Sequence, residues 1–129
     1  MKKYIVDAWA WIEYFAGTEY GAKLNNILED ASSDVYTSAI SLAEVISKTA
    51  KEKKDIEAAH DMILSNSIVV NIDEELSKYT GQLHAQMRLT RKDFGIADAF
   101  VLALARKLEA QVVTGDPHFE GLKAAILIK

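Results

Sequence analysis

A chain of 129 residues with half its residues apolar and a quarter charged is long enough to bury one core of ordinary size. Its net charge of −4 gives no global attraction to nucleic acid or anionic membranes, so any polyanion has to be held by a local basic patch or by bound cations. The absence of cysteine excludes disulfides, thiolate catalysis and cysteine-ligated zinc. The opening MKKYIVDAWAWIEYF has the basic pair and apolar residues of a signal peptide, but Asp7 and Glu13 interrupt the apolar run. No apolar stretch reaches membrane-spanning length, and a cytoplasmic location is expected.

Tyr4-Ile5-Val6 is a short β-prone run ending on Asp7, and it predicts the first strand. Ala8 to Phe15 is predicted helical and closed by Gly17. Tyr20 to Leu28 carries Leu24, Ile27 and Leu28 at helical spacing. Val35-Tyr36-Thr37 predicts a second strand, followed by a helix over Ser41 to Thr49 and another over Ile56 to Leu64, with a solvated Lys51–Lys54 tract between them. Ser67 to Ile72 predicts a third strand. Asp73 then caps a helix running to Arg88-Leu89.

The stretch from Asp93 to Phe119 reads as one αβ unit. Ile96, Ala97, Phe100, Val101, Leu104, Ala105 and Leu108 form an apolar helical stripe, and Gln111 to Thr114 follows as a buried strand punctuated by Gly115 and Pro117. A short helical turn at His118–Glu120 and a last strand at Ala125–Ile128 complete the order. Strands alternate with helices throughout, which predicts a three-layer α/β/α domain over residues 1–129 around a mostly parallel sheet of about five short strands.

Acids recur where the ends of these strands fall. Asp7 follows the first strand, Asp116 follows the fourth, Asp98 begins the helix feeding the fourth, and Glu44 lies early in the helix after the second. Each has an ordinary structural role open to it. Asp7 suits a helix cap, Ser41-Leu42-Ala43-Glu44 matches a capping box, and Glu44 with Lys48 is an i,i+4 pair. Asp98 suits a helix N-terminus, and Asp116 suits a turn. Together they imply more. Two carboxylates about 4 Å apart repel by roughly 4 kcal/mol at an effective dielectric of 20. Four at one sheet edge are costly unless they are protonated or a cation sits among them, and an all-oxygen donor set selects Mg²⁺ or Mn²⁺. Such an ion suits hydrolysis of a phosphodiester.

YIVDAWAWIEYF, SAISLAEV and GIADAFVLALARKLEAQVVTGDPHFEGL carry a resemblance that spans essentially the whole chain. The sequence resembles the PIN-domain nucleases, and among them the toxin ribonucleases of VapC type. The most specific portion is the acid in an alanine-rich helix, the hydrophobic strand, and Thr-x-Asp with Phe shortly after. The resemblance implies an α/β/α fold and a Mg²⁺- or Mn²⁺-dependent endoribonuclease acting on an RNA substrate. It implies that Asp7, Glu44, Asp98 and Asp116 form the acidic, metal-holding cluster, supported by the Thr114 hydroxyl. An antitoxin partner and a homodimer are implied in the same way.

Ala8 departs from the Ser or Thr that often follows the first Asp in that family. Asp93 is either an additional ligand, as in some members, or an N-cap or loop residue. Arg88, Arg91 and Lys92 precede the acidic stretch and are candidates for contacting RNA phosphates. A basic group around Lys48, Lys51, Lys53 and Lys54 is expected to be solvated helix end, and His60, His84 and His118 are expected to be structural. Trp9, Trp11, Tyr14 and Phe15 are expected in the core or on a dimer surface. Competing functions are a PIN-fold protein that binds without cleaving and a receiver-type signalling module. The latter needs a Lys, usually followed by Pro, after the last strand, and Lys129 has no Pro after it.

Overall fold

The computed structural model describes residues 2–129. Five strands, β1 (Lys2–Val6), β2 (Ser33–Ser38), β3 (Ile68–Val70), β4 (Gln111–Thr114) and β5 (Ala125–Leu127), form one sheet in the order β3-β2-β1-β4-β5. Every pairing is parallel. Six helices connect them: α1 (Ala8–Ala16), α2 (Glu19–Glu29), α3 (Ala39–Lys51), α4 (Ile56–Asn66), α5 (Glu74–Met87) and α6 (Ile96–Leu108). A 3₁₀ turn covers Pro117–Phe119. Every predicted strand and helix is present, with boundaries shifted by a few residues.

Side chains alternate across the sheet with the period of two that a strand imposes. Tyr4 and Val6 of β1 and Val113 of β4 face a cluster with Trp11, Leu24, Val45 and Ile63, contributed by α1 to α4. Ile5 and Val112 face the opposite cluster, with Leu76 and Leu83 of α5 and Ala99, Val101, Leu102 and Leu104 of α6. The burial of α6 is broader than its apolar stripe suggested. Leu102 and Ala103 are buried as well, while Ile96 stands half exposed. The helix lies between the sheet and α5, and its alanines permit close approach on more than one side.

The order of strands decides where a site can lie. β1 is followed by β2 and β3 on one side, and the chain then crosses to β4 and β5 on the other. The crossover leaves a switch point between β1 and β4, and a crevice opens outside their carboxyl ends at such a point. Asp7 follows β1, and Asp116 lies two residues beyond β4.

Two local features hold that edge in shape. Gly21 of α2 lies so close to α1 that a Cβ would stand 2.4 Å from the Glu13 carbonyl oxygen. Trp11 is fully buried and donates its indole N–H to Thr37 Oγ1 at 3.1 Å, tying α1 to β2. Thr37 in turn shares a 2.8 Å hydrogen bond with Ser67 at the end of α4. Trp11 and Tyr14 therefore belong to the core cluster, and Phe15, more than a third exposed, stands at its edge.

Candidate metal centre

Asp7 is the N-cap of α1. Its Oδ1 accepts from the Ala10 amide at 3.0 Å, satisfying one of the donors that a helix start leaves free. Its Oδ2 accepts a hydrogen bond from the Thr114 hydroxyl. Thr114 is fully buried, and its Oγ1 also accepts from the Asp116 amide at 3.0 Å. One hydroxyl thus joins the acid after β1 to the segment carrying the acid after β4. The cap role expected for Asp7 is real, and it leaves the carboxylate facing the cleft as well.

Asp98 is the third residue of α6, and its Oδ2 accepts from the Gly95 amide at 2.9 Å. Asp116 Oδ1 accepts from the His118 amide at 2.9 Å, which closes the 3₁₀ turn. Asp7, Glu44, Asp98 and Asp116 all line one cleft of about 290 Å³, with Ala8, Trp9, Ile12, Ser41 and Lys48 among its other walls.

Glu44 corrects two expectations. Helix α3 begins earlier than predicted: β2 runs on to Ser38, and Ser38 caps the helix by accepting from the Ile40 amide at 3.2 Å. Ser41 is therefore inside the helix, and Glu44 is not part of a capping box. Nor does Glu44 pair with Lys48, whose ammonium lies 3.4 Å from Glu52 instead. The Glu44 carboxylate is released to the cleft.

The electrostatics follow from this crowding. Burial pushes the Asp7 carboxyl up from 3.8 to about 7; the hydrogen bonds from Thr114 and Ala10 oppose the rise, and the charges of Asp116 and Asp98 add to it. Glu44 is raised by its partial burial and by the same two neighbours. Among the described residues no Lys or Arg nitrogen lies within 4.0 Å of any of the four carboxylates. A second observation points the same way. Ser41 Oγ, fully buried in the cleft wall, has no hydrogen-bond partner. A buried hydroxyl is normally paired; the other unpaired ones among the described residues, Ser33 and Thr80, lie outside the cleft. Four carboxylates with no Lys or Arg nitrogen in contact, beside an unpartnered hydroxyl, fit a hard divalent cation.

Several residues fall differently from expectation. Asp93 is exposed in the turn before the N-cap Gly95 and does not line the cleft, which fits the loop role among its expected alternatives rather than the cap or the ligand. Arg91 donates to the carbonyls of His118 and Glu120 at 3.2 and 2.8 Å, so its guanidinium braces the loop after Asp116. Arg88 and Lys92 are exposed. Lys48, expected to be mere solvated helix end, lines the cleft.

His118 is the residue whose place was least legible. Its Nδ1 lies 2.9 Å from Asp98 Oδ2 and 3.4 Å from Asp116 Oδ1, and the three groups form a cluster of metal-ligand type. Its nearness to Asp116 in sequence was the one available signal. The decisive contact, to Asp98, exists only because α6 and the turn after β4 meet at the switch point.

The fold and this carboxylate cluster define a recognised class. The chain belongs to the PIN domain family, whose model matches residues 4–124. Solved structures share the architecture over nearly the full chain. A DNA-bound VapBC from Salmonella typhimurium has a chain 22% identical, with TM-score 0.76 and complete coverage of both chains. VapBC2 from Rickettsia felis, bound to a fragment of its promoter, is 20% identical with TM-score 0.74, covering 97% of this chain and 96% of that one. VapC20 from Mycobacterium tuberculosis, described as a Sarcin-Ricin loop cleaving toxin, is 18% identical with TM-score 0.74, covering 93% and 95%. No curated protein matches by sequence. No helix among the described residues is long and apolar enough to cross a membrane.

Proposed function

We propose that this chain is a Mg²⁺- or Mn²⁺-dependent endoribonuclease and the toxin of a toxin–antitoxin pair. The observation that carries the proposal is the convergence of Asp7, Glu44, Asp98 and Asp116, from four separate parts of the chain, on one cleft at the switch point of a parallel sheet. Family membership and the VapBC likeness support it. These four carboxylates would hold the cation, which when bound supplies a more acidic water and neutralises charge on the phosphodiester.

The protein's own groups do the positioning. Thr114 and the Ala10 amide fix both oxygens of Asp7, and the Gly95 amide fixes Asp98. Lys48, at the cleft wall, is placed to meet a phosphate of the RNA, with Arg88 and Lys92 as more distant contacts. With water as the nucleophile rather than the ribose 2′-hydroxyl, cleavage leaves a 5′-phosphate and a 3′-hydroxyl. An apolar groove of about 350 Å³, lined by Ile12, Phe15, Ala58, Ala59 and Met62, offers a surface for an antitoxin segment. Ile12 and Lys48 line both groove and cleft, so a segment seated in one reaches the other.

The test is cleavage of RNA with Mn²⁺ by the protein and by Asp98→Asn. Asn keeps the acceptor for the Gly95 amide, so the fold is retained. Activity should fall by roughly 10²-fold or more, chelation should abolish it, and the products should carry 5′-phosphates. Undiminished cleavage by Asp98→Asn would overturn the proposal.

A further inference from the structure

The four carboxylates leave one neighbouring group unassigned, the imidazole of His118. We infer that His118 Nδ1 is an inner ligand of the divalent cation in this cleft, and that it biases the site towards Mn²⁺ over Mg²⁺; the inference rests on the metal-dependent function proposed above.

Geometry is the first argument. Adjacent ligand atoms of an octahedral ion with bonds of about 2.1 Å are separated by about 3.0 Å. His118 Nδ1 lies 2.9 Å from Asp98 Oδ2 and 3.4 Å from Asp116 Oδ1. All three donor atoms fall within 4.8 Å of one another. The spacing that now serves hydrogen bonds is that of neighbouring ligands around one ion.

Preorganisation is the second. The His118 amide is held by Asp116, and its carbonyl is held by Arg91. The next residue, Phe119, is buried and packs edge-on against Phe94 with ring centroids 5.7 Å apart. The turn is therefore pinned on three sides, and the imidazole is delivered to the acids by a fixed backbone. Its Nε2 has no protein partner among the described residues, so the tautomer with its proton on Nε2 can donate to water while Nδ1 presents its lone pair.

The buried Ser41 hydroxyl lines the same cleft without a hydrogen-bond partner. The choice of metal follows from the donor type. Imidazole suits the later first-row transition ions best, and Mn²⁺ is the weakest binder of that series, but Mg²⁺ is harder still and keeps to oxygen ligands and water. A cleft with carboxylates alone would discriminate weakly between the two ions; one nitrogen donor tilts it.

The experiment uses Mn²⁺ alone, added to the intact chain and read by pulsed electron paramagnetic resonance. Nitrogen-14 modulation on the bound Mn²⁺ is expected in the wild type and in the double variant His60→Gln, His84→Gln, and is expected to vanish in His118→Gln. Calorimetry at one pH should show Mn²⁺ affinity falling about 10-fold or more in His118→Gln, with Mg²⁺ affinity changed less than about 2-fold. Bound Mn²⁺ without nitrogen modulation in the wild type overturns the assignment of His118 and leaves the carboxylate site standing. Modulation that persists in His118→Gln also overturns it. No Mn²⁺ binding at all overturns both the assignment and the proposed function.

Discussion

Replacing Asp7 by Asn should change the way stability depends on pH more than it changes stability at any one pH. Asp7 is nearly fully buried, and its carboxyl is raised from 3.8 to about 7. The folded state therefore keeps a proton that the unfolded chain gives up above pH 4. In that window the native state binds more protons than the unfolded state, so stability falls as pH rises, and the loss is complete once pH passes about 7. A rise from 3.8 to about 7 corresponds to about 4 kcal/mol at about 1.4 kcal/mol per pH unit. Asn does not titrate and so removes this slope. It also exchanges the acceptor of the Thr114 hydroxyl for a donor, a cost of about 1 kcal/mol that is independent of pH. Urea unfolding from pH 4.5 to 8.5 with a chelator present reads the difference between wild type and variant. The variant should be equal or slightly weaker at the acidic end and more stable by about 3 kcal/mol at the alkaline end, which is the slope less that fixed cost. A difference that stays constant with pH would refute the reasoning.

Thr114→Val keeps the shape of the side chain but strips hydrogen bonds from Asp7 Oδ2 and the Asp116 amide, and should cost about 1–3 kcal/mol. Because the Thr114 hydroxyl lowers the Asp7 carboxyl, its loss should extend the fall in stability to higher pH, and Thr114→Ser should restore both quantities in the same urea titration. Gly21→Ala places a Cβ 2.4 Å from the Glu13 carbonyl oxygen, so α1 and α2 must separate. It should cost about 1–3 kcal/mol in thermal unfolding, whereas Gly81→Ala, with open space around it, should not destabilise.

The alternation of strands and helices was legible because each element carries its own period. Asp7 and Asp116 were legible because a parallel sheet sends the residues after its strands to one edge, and Asp98 because the helix feeding β4 starts at that edge. Glu44 was placed near the same edge by its position in the helix after the second strand, and the resemblance raised it above a local pattern that argued for a cap. Ser38 and Ser41 are both capping residues by type. What chose Ser38 was the extension of β2 to that residue, whose extended backbone (φ −69°, ψ 142°) starts the helix. That choice depends on pairing with β3 through Ser38 and Val70, a contact across 32 positions of sequence. Arg91 was read as a phosphate contact because a charge near a site suggests a ligand. The carbonyls that occupy it lie 27 and 29 residues away. His118 and Lys48 were set aside for the same reason: their significance lies in neighbours from other elements.

Trp9 and Trp11 lie two residues apart on α1 and have opposite surroundings. Trp11 is sealed in the core with its indole N–H committed to Thr37. Trp9 lines the cleft, faces Tyr20 at 5.8 Å, and packs where a Cβ on Gly115 would stand 2.3 Å from its ring. The protein thus carries two optical reporters on one helix. The emission of Trp11 should change only when the fold is lost, whereas that of Trp9 should respond to whatever enters beside the carboxylates. Trp11→Phe would leave a single tryptophan, and its intensity under excitation that spares the five tyrosines would follow occupancy of the cleft without any attached label.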